Sequence, residues 1–455
     1  MVKRGDGMSL DGAKWIVGQL KRKGYEAYLV GGCVRDIYMN VEPNDFDIAT
    51  GALPDEVMAI FNNCIPTGID FGTVTVILDG SDFEVTTFRK DSGYMDGRRP
   101  SVVTFSGSIV EDLSRRDFTM NAMAMSEQGE IVDPFRGKSD IRKKLIRTVG
   151  KAEERFNEDR LRKLRAIRFA AQKGFDLDVE IIRAIKNDTS LMGVSVERIF
   201  VEMNKILLSD RADLGLELLN ECGLLNEILP EMVPCIGFEQ HHPCHKWTVF
   251  EHTKQVVVNT PNTAALRWAA LLHDIGKPAT FELDDKGIGH FYRHEKLSLE
   301  SAANICKRLK MSTALSEEIL LYIAHHMSMP VLTERAVKKW MRKIGPEKVD
   351  DMRLFLLADA KGTGTLEDDA YYIELKELVA TIRKSPQVFD RSALSIDGNL
   401  LMDRFEQLKA NPRLLSPLLE HLVEICLHSS EMNRIETLLK LSEEWIEKIT
   451  EKSQN

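Results

Sequence analysis

Two aspartates separated by a single residue, Asp45 and Asp47, stand in a segment that favours a β-strand. Side chains alternate between the two faces of a strand, so both carboxylates would point to the same side. Neighbouring carboxylates repel each other, and beside phosphate groups the compensating cation would be Mg²⁺ held by oxygen ligands. Two such ions are the general device for in-line phosphoryl transfer. We therefore interpret the pair as a catalytic magnesium site. Glu84 is the candidate for a third carboxylate, with a cross-strand ion pair as its alternative role.

A glycine pair lies shortly before these aspartates, in the sequence LVGGCVRD of residues 29–36. Without a Cβ atom the backbone at Gly31 and Gly32 could approach a phosphate closely, and Arg35 could hold an anionic oxygen. A tight turn with no ligand is the alternative for a glycine pair taken alone. Together with the two aspartates, the segment indicates a site for a phosphorylated ligand.

An arginine-rich segment, EDRLRKLRAIR over residues 158–168, is predicted to form one helix. At about 3.6 residues per turn, four of its side chains would follow one ridge: Asp159, Arg162, Arg165 and Arg168. Cytosine and adenine both present an amino donor beside a ring-nitrogen acceptor, whereas uracil and guanine present the reverse. An aspartate and an arginine would therefore select C and A together, without a nucleic-acid template. A solvated amphipathic face is the alternative interpretation.

Nine of the eleven histidines fall between His241 and His326. Imidazole and carboxylate together suit divalent transition metals or a Mg²⁺-assisted site, in which the ion generates a nucleophilic hydroxide from water. The adjacent His273 and Asp274 could both reach one metal ion if they lie on a helix, and His252 and Asp359 flank them along the chain. Two further histidines are candidates for a second ion: His294 and His325. The alternative is a domain kept only for its helical packing. Four nearby residues are expected to be polar loop residues or RNA contacts: His241, His242, Cys244 and His245.

The elements that must position these residues change character near residue 150. Before it, short β-rich runs alternate with helical stretches, which predicts an α+β head with a mixed sheet. After it the apolar spacing is helical to the end of the chain, with a break rich in proline and histidine at residues 230–243. We predict four domains: a head at 1–150, a helical neck at 151–230, a histidine-rich domain at 231–365 and a helical tail at 366–455.

Composition narrows the function classes. The 455 residues are 43% hydrophobic and 29% charged, as in an ordinary globular protein, and the net charge of −9 argues against indiscriminate nucleic-acid binding. Basic residues nevertheless cluster locally, which is expected of an enzyme that holds a nucleotide and one end of an RNA. No apolar stretch suits a membrane helix or a signal peptide, so we expect a cytoplasmic protein with no membrane partner. The seven scattered cysteines form no CxxC pair and indicate neither disulfides nor a thiolate zinc site.

Five motifs follow one another in a recognisable order: GGCVRD, DFDIAT, EVTTFR, DGRRP and RRDFTMNA. Their order resembles that of the class II tRNA nucleotidyltransferase and poly(A) polymerase family, part of the DNA polymerase β superfamily, over most of residues 25–205. The resemblance implies a polymerase β-like head in which Gly32 and Arg35 contact the nucleotide. It also implies that Asp45 and Asp47 hold Mg²⁺ and that Arg116 contacts the triphosphate.

The arginine-rich segment is similar to the EDxxR motif of that family. This similarity assigns Asp159 and Arg162 to base reading, with Arg165 and Arg168 as further nucleotide contacts. The segment Glu197-Arg198 to Glu202 resembles the ERxxxE element, which we interpret as structural support for the neck. Residues from about 393 to 447 resemble the tail that grips tRNA in the family, although the Gly-rich segment expected there is replaced by DRFEQ.

The resemblance implies an enzyme that adds C, C and A to the 3′ end of tRNA from CTP and ATP and releases pyrophosphate. A family loop near residues 91–99, with DGRRP intact, argues against addition of CC alone. An A-adding enzyme and a poly(A) polymerase would share these motifs and remain alternatives. The histidine set resembles the H…HD…D signature of the HD phosphohydrolases, which implies one metal ion on a first set of ligands, His252, His273, Asp274 and Asp359. A hydrolase with an RNA-binding head is therefore an alternative of another class. The sequence leaves the oligomeric state open.

Overall fold

In the computed structural model of the protein, residues 9–94 and 100–452 are described. They form two compact units. The first runs to Val233 and includes Lys307–Met311, and the second comprises Pro234–Cys306 and the chain from Ser312 onward. The first unit has a mixed sheet with helices, followed by further helices, and the second is helical apart from one short hairpin. The expected α+β class is confirmed, and the finer division into four domains stays a prediction.

The strands of the first unit are short. They are β1 (Ala27–Val30), β2 (Asp47–Thr50), β3 (Cys64–Gly68), β4 (Thr73–Leu78), β5 (Ser81–Thr87), β6 (Arg89–Tyr94), β7 (Pro100–Phe105), β8 (Ala124–Met125), β9 (Ile131–Val132), β10 (Leu145–Ile146) and β11 (Asp176–Leu177). Seven of them form one sheet in the order β3-β4-β5-β2-β1-β8-β9, in which only β2 and β5 run parallel.

Alternation of apolar and polar residues explains which face of this sheet is buried. Val74 and Val76 of β4, and Phe83 and Val85 of β5, are buried and lie two residues apart along their strands. The residues between them point to the opposite face. In the parallel pair, Asp47 lies directly opposite Glu84. The register of β2 and β5 therefore brings these two carboxylates to neighbouring positions on one face.

The helices of the first unit are α1 (Leu10–Arg22), α2 (Gly32–Tyr38), α3 (Pro54–Ile60), α4 (Ile109–Ser114), α5 (Gly137–Arg142), α6 (Ala152–Glu158), α7 (Leu161–Lys173), α8 (Val179–Asn187), α9 (Val196–Leu207), α10 (Ala212–Glu221) and α11 (Leu224–Ile228). Helix α7 buries its apolar residues at three- and four-residue spacing, including Leu164, Ile167 and Ala171. It ends at Gly174, whose φ of 64° suits a helix C-terminus.

The second unit contains α12 (Val249–Asn259), α13 (Ala264–Leu272), α14 (His294–Arg308), α15 (Thr313–His325), α16 (Glu334–Ile344), α17 (Val349–Gly362), α18 (Ala370–Ile382), α19 (Gly398–Arg404), α20 (Glu406–Ala410), α21 (Leu415–His428), α22 (Ile435–Lys452) and a hairpin of β12 (Phe281–Leu283) and β13 (Gly289–Phe291). Helix α13, with the sequence AALRWAALL, is buried on all sides from Ala265 to Leu272. An apolar helix of this kind must lie at the centre of its unit. In the described part of the chain, no helix has the length and apolar character to cross a bilayer.

Candidate active sites

The first candidate site contains the two aspartates near β2. Asp47 is the first residue of the strand, Asp45 precedes it, and Phe46 between them is buried, so both carboxylates line one cavity. Burial raises the pKa of Asp47, and the charge of Asp45 adds to the effect; a smaller contribution comes from Glu84 on β5. Although the charge of Arg116 opposes them, the pKa of Asp47 reaches about 6. Burial and the neighbouring carboxylates thus both disfavour the ionised form of Asp47, which a bound cation would favour.

Glu84, like Asp45, is exposed. It occupies the position opposite Asp47 on the parallel neighbour strand. No ion pair joins it to another residue in the ranges 9–94 and 100–452, so within these ranges the alternative role in a cross-strand ion pair finds no partner. The placement is compatible with a third carboxylate, and its role stays a prediction.

The glycine pair provides clearance at the end of β1. Gly31 has a φ of 80°, in the region that favours glycine, and α2 begins at Gly32. A Cβ atom on Gly31 would lie 2.8 Å from Nη1 of Arg116 and 3.7 Å from Oδ2 of Asp47. Any side chain at position 31 would therefore fill the space between the carboxylate and the arginine.

Two of the predicted nucleotide contacts are held by acids and amides of the protein itself. Arg35, which is buried, donates from Nη1 to Oδ1 of Asn121 at 2.7 Å and makes a two-point ion pair with Asp36. Arg116 ion-pairs with Asp112 at 3.2 Å. Both guanidinium groups line the cavity, so the protein fixes their positions before any anion arrives.

The predicted single helix over residues 158–168 is wrong at its start. Helix α6 ends at Glu158, Asp159 has an extended backbone with φ of −146°, and α7 begins only at Leu161. Oδ1 of Asp159 accepts from the N–H of Leu161 at 3.0 Å, as a capping aspartate does at a helix start. The break turns Asp159 away from the arginine ridge of α7 and into the loop between the two helices.

The proposed base readers do not contact each other in this structure. Asp159 ion-pairs with Arg198 of α9 at 2.7 Å, and Arg162 ion-pairs with Glu158 at 2.6 Å and donates to the carbonyl of Arg115 at 3.0 Å. Arg198 was missed as a site residue, because its motif was interpreted as structural support. Its direct contact with Asp159 shows that the support reaches the cavity itself.

The remaining two arginines of the ridge are paired with buried acids. Arg165 ion-pairs with Asp117, and Arg168 lies 2.9 Å from Glu202. Burial raises the pKa of Asp117, but the charge of Arg165 and hydrogen bonds from Asn121 and Arg165 outweigh it and lower the pKa to about 2. Burial lowers the pKa of Arg168 to about 10.

These side chains surround a polar cavity of about 640 Å³ in the first unit. Its walls contain all the predicted head and neck residues except Glu84: Gly32, Arg35, Asp45, Asp47, Arg116, Asp159, Arg162, Arg165 and Arg168. A cavity that combines a carboxylate pair with several guanidinium groups can hold cations and phosphate oxygens side by side.

The second candidate site lies where α13 ends in the second unit. His273 directly follows the helix, Asp274 comes next, His252 belongs to α12 and Asp359 to α17. Nε2 of His252 lies 3.3 Å from Oδ2 of Asp274 and 3.1 Å from Oδ1 of Asp359, and Nε2 of His273 lies 3.3 Å and 3.4 Å from the same two atoms. The structure therefore brings all four first-set residues together.

The neighbouring histidine pair corrects one prediction. His294, the first residue of α14, lies beside His326, with 3.1 Å between their Nε2 atoms, whereas His325 is not part of the cluster. The reason is helical phase: Ile319, Tyr322 and Ile323 are buried, and at three- and four-residue spacing their face continues to His326. His325 points about 100° away and is only half-buried.

Two further residues of this site were missed or misread. Lys277, which is buried, follows Asp274 by three residues; its Nζ lies 2.7 Å from Oδ2 of Asp274 and 2.9 Å from Oε1 of Gln240. His245, expected to be a loop residue or an RNA contact, lines the same cavity and packs against His252. Burial, together with the charges of Lys277 and His252, lowers the pKa of His245 to about 3. The spacing of one helical turn after Asp274 was the signal that could have identified Lys277.

The cavity in front of these residues has a volume of about 400 Å³. Polar residues of the cluster line one side of it: Asp274, His294, His326 and Asp359. Apolar and aromatic side chains line another: Phe291, Met327, Met329, Leu356 and Tyr372. Imidazole nitrogens and carboxylate oxygens that converge in this way can hold divalent metal ions.

Comparison with protein families gives three matches along the chain. Residues 27–147 match the poly A polymerase head domain, and residues 174–236 match the probable RNA- and SrmB-binding site of polymerase A. Residues 244–359 match the HD domain. The first two matches cover most of the first unit, and the third covers the histidine cluster.

The curated relatives include several proteins called CCA-adding enzyme. That of Geobacillus thermodenitrificans is 47% identical over 262 residues, which are 57% of this chain and 62% of the relative. That of Limosilactobacillus reuteri is 39% identical over 309 residues, which are 68% of this chain and 72% of the relative. The match spans less than two thirds of the length of the Geobacillus protein.

Solved structures of similar proteins give the same fold. The CCA-adding enzyme of Bacillus stearothermophilus in complex with CTP has a TM-score of 0.75 at 28% identity, with 98% of this chain and 99% of that chain covered. The CCA-adding enzyme of Thermotoga maritima complexed with tRNA has a TM-score of 0.59 at 17% identity, with 96% of each chain covered, and at this identity supports the fold alone.

Proposed function

The chain belongs to the CCA-adding enzyme family, and from this premise we propose that it adds C, C and A to the 3′ end of tRNA, using CTP and ATP and releasing pyrophosphate. The observation that carries the proposal is the cavity of the first unit, which joins the carboxylates of Asp45 and Asp47 to the predicted base readers Asp159 and Arg162. Cation, triphosphate and base would thus be held in one place.

The carboxylates would hold Mg²⁺, with Glu84 as the third ligand. The donor set consists of hard oxygens, and a cation bound there would offset the burial and the repulsion from Asp45 that raise the pKa of Asp47, so the residues fit this ion. When bound, Mg²⁺ activates the attacking hydroxyl and steadies the leaving pyrophosphate. Arg35 and Arg116 would bind the phosphate oxygens, and Gly31 and Gly32 would let the backbone approach them.

Base selection would follow from hydrogen bonding. Asp159 would accept from the exocyclic amino group of C or A, and Arg162 would donate to the adjacent ring nitrogen. Asp159 forms an ion pair with Arg198, and Arg162 forms one with Glu158. An incoming base would therefore have to share or replace these two ion pairs. Arg165 and Arg168 would contribute further contacts from positions fixed by Asp117 and Glu202.

The alternatives differ only in which nucleotides are added. An A-adding enzyme and a poly(A) polymerase would use the same carboxylates and arginines. Of the segment 91–99 that argues against addition of CC alone, residues 91–94 belong to β6, and residues 95–99 lie outside the described residues. We expect the enzyme to act in the cytoplasm.

The test uses three tRNA transcripts that end before CCA, after CC and after CCA, each incubated with Mg²⁺ and CTP, ATP or both. Extension of the shortest transcript through C, C and A, with no further addition, is the expected result. Extension of the CC-ended transcript alone would make the protein an A-adding enzyme, and a long A tail would make it a poly(A) polymerase. Asp45→Asn serves as the inactive control.

A second activity is favoured by the histidine cluster. We propose that the second unit hydrolyses phosphate esters with a divalent metal ion held by the first ligand set: His252, His273, Asp274 and Asp359. When bound, the ion supplies a nucleophile from water at neutral pH. Lys277, beside Asp274, adds a buried positive charge that would attract the phosphate.

The matched test is hydrolysis of bis(p-nitrophenyl) phosphate by the full-length protein supplied with Mn²⁺. Activity is expected to be lost in Asp274→Asn and retained in Asp45→Asn. No hydrolysis by either protein would mean that the domain serves only as a helical scaffold. Hydrolysis without extension of any transcript would assign the chain's main activity to this domain, with the head as an RNA-binding module.

A further inference from the structure

Three arginines that line the cavity of the first unit share one aromatic ring, that of Phe169. The guanidinium carbon of Arg168 lies over this ring at 4.2 Å from its centroid, that of Arg35 at 5.4 Å and that of Arg165 at 5.5 Å. The attraction between a cation and the face of an aromatic ring acts within about 6 Å of the centroid. Phe169 lines the same cavity as the arginines. The ring is therefore a contact that all three guanidinium groups have in common.

The three arginines come from two different helices. Arg35 belongs to α2, whereas Arg165 and Arg168 belong to α7, together with the ring itself. Phe169 follows Arg165 by four residues, a spacing at which side chains on a helix are neighbours. Each arginine has a different acidic partner: Asp36 for Arg35, Asp117 for Arg165 and Glu202 for Arg168. The acids thus hold the guanidinium groups one by one, and the ring contacts them as a group.

Packing fixes the orientation of the ring. Phe169 is buried, and the centroid of its ring lies 5.7 Å from that of Phe118, with an angle of 82° between the two planes. Aromatic rings favour this edge-to-face arrangement, because the positive edge of one ring meets the negative face of the other. The contact with Phe118 therefore keeps the ring of Phe169 in one position relative to the arginines.

The ring attracts these positive charges without adding a negative charge to the cavity. Burial lowers the pKa of Arg168 to about 10, although the negative charge of Glu202 opposes the effect. The positive charges of Arg165 and Arg35 add to it, because the guanidinium groups repel each other. A carboxylate in place of Phe169 would offset this repulsion, but it would also repel a phosphate. An aromatic face attracts cations and has no net charge, so the arginines remain attractive to an anion.

We propose that Phe169 is a positioning residue for nucleotide binding. Its ring holds three guanidinium groups together as one binding site for the triphosphate: those of Arg35, Arg165 and Arg168. This inference rests on the proposed nucleotide addition. Hydrogen bonds to the described residues use three of the five N–H donors of Arg35 and two of those of Arg165, which leaves donors for phosphate oxygens. Because the ring acts through the arginines, weakening it should raise KM more than it lowers kcat.

The test weakens the attraction of the ring for cations with little change in its shape. In the full-length chain, Phe169 is replaced by 4-fluoro-, 3,4,5-trifluoro- and pentafluorophenylalanine, because fluorine withdraws negative charge from the ring face. We expect the KM for CTP, and the Kd for CTP without RNA, to rise stepwise to about tenfold, with kcat changed less than about threefold. Phe175, which is buried just after α7 and outside the cavity, takes the same replacements as the matched control and should leave all three constants unchanged.

A Kd for CTP that stays constant along the series, or an equal rise with Phe175, would overturn the inference. Circular dichroism checks folding, and the monofluoro and trifluoro proteins decide the result if the pentafluoro protein does not fold. Phe169→Tyr, which keeps the aromatic face, should stay within about threefold of the wild-type Kd, and Phe169→Leu should raise the Kd about tenfold. CTP binding that weakens along the series, without extension of any transcript, would overturn only the proposed nucleotide addition. Extension that is insensitive to fluorination would overturn only the role of Phe169.

Discussion

The two candidate centres contain different types of side chain. In the head, the proposed cation ligands are carboxylates at the start of β2, Asp45 is exposed, and the surrounding charges are arginines. In the HD domain, imidazoles dominate, and both His252 and His273 are completely buried. Oxygen ligands on an open strand suit an exchangeable Mg²⁺ that arrives with a nucleotide, whereas buried nitrogens suit an ion that stays with the protein.

The two centres also differ in the contacts that hold their side chains in position. The arginines of the head are held by ion pairs with acids on neighbouring segments, such as Asp117 and Glu202, and these pairs can be exchanged for a ligand. Three histidines of the HD domain, His273, His294 and His326, are instead held by carbonyls three residues earlier in the chain. Side-chain ion pairs in the head suit the proposed site for two different bases, and backbone anchors suit the proposed metal centre.

The largest expected effect is a loss of nucleotide addition that leaves the HD domain unchanged. Asp47→Asn should lower nucleotide addition at least about a thousandfold, because a cation supplies several kcal/mol of charge stabilisation in the transition state. Metal content and phosphate-ester hydrolysis of the HD domain should remain unchanged. Single-turnover extension of a transcript and hydrolysis assays on the same preparation test this, and parallel loss of both activities would refute independence of the centres.

A chelator should produce the reverse pattern. We expect 1,10-phenanthroline, which prefers transition metals, to remove nearly all metal from the HD domain and to change nucleotide addition in excess Mg²⁺ by less than about twofold. The non-chelating isomer 1,7-phenanthroline is the control. Equal inhibition of both activities would show that the two centres use the same class of ion.

Base reading in the head should weaken when Asp159 is removed. Each two-point contact with a base contributes about 1–3 kcal/mol of discrimination, so Asp159→Ala should reduce the preference for CTP and ATP over UTP by about ten- to a hundredfold. The measurement compares kcat/KM for the three nucleotides. Asp178→Ala, a surface aspartate at the start of α8, serves as the matched control. Unchanged discrimination would remove Asp159 from the base-reading role.

The ion pairs that hold the head arginines should appear in the pH dependence of stability. The pKa of Asp117 is about 2 in the folded chain against an ordinary value of 3.8, so its ion pair stabilises the fold above pH 4 and is lost between about pH 4 and pH 2. The contribution is on the order of 2 kcal/mol. Urea unfolding at pH 5 and pH 3 should show a smaller loss for Asp117→Asn than for the wild type, and Asp213→Asn, whose partner Arg211 lies near the surface, should behave like the wild type.

The smallest expected effect concerns Arg198. Its ion pair with Asp159 is partly exposed and contributes less than about 1 kcal/mol, so Arg198→Ala should change discrimination between CTP and UTP by about two- to fivefold. Rescue by Arg198→Lys would support a positioning role through charge. A loss as large as that of Asp159→Ala would instead mean that Arg198 contacts the base itself.

Segments whose apolar residues recur with a regular spacing were predicted well as strands or helices. The short β-rich runs predicted before residue 150 form the mixed sheet of the first unit, because alternating apolar residues specify a strand locally. The chain order of the motifs was enough to gather the head residues around one cavity. The sequence could not reveal the break at Asp159, because the local spacing is helical and the partner of Asp159 lies on α9, far along the chain.

In the histidine-rich domain, one residue could have been predicted correctly from the sequence, and two contacts could not. The apolar spacing of Ile319, Tyr322 and Ile323 already favoured His326 over His325 for the buried face, and this signal was not used. By contrast, the contacts of His245 with His252 and of Lys277 with Gln240 depend on tertiary packing. No local pattern in a single sequence contains that information.

The parallel pairing of β2 with β5 also limits where residues can be inserted into or deleted from the chain. Asp47 and Glu84 face each other across this register, and the β3 and β4 hairpin lies between them in the chain. Insertions or deletions in the turns of that hairpin leave the pairing of β2 with β5 intact. The length of the hairpin can therefore differ between related sequences. One residue inserted within β5 before Glu84 would shift the register and send its carboxylate to the opposite face.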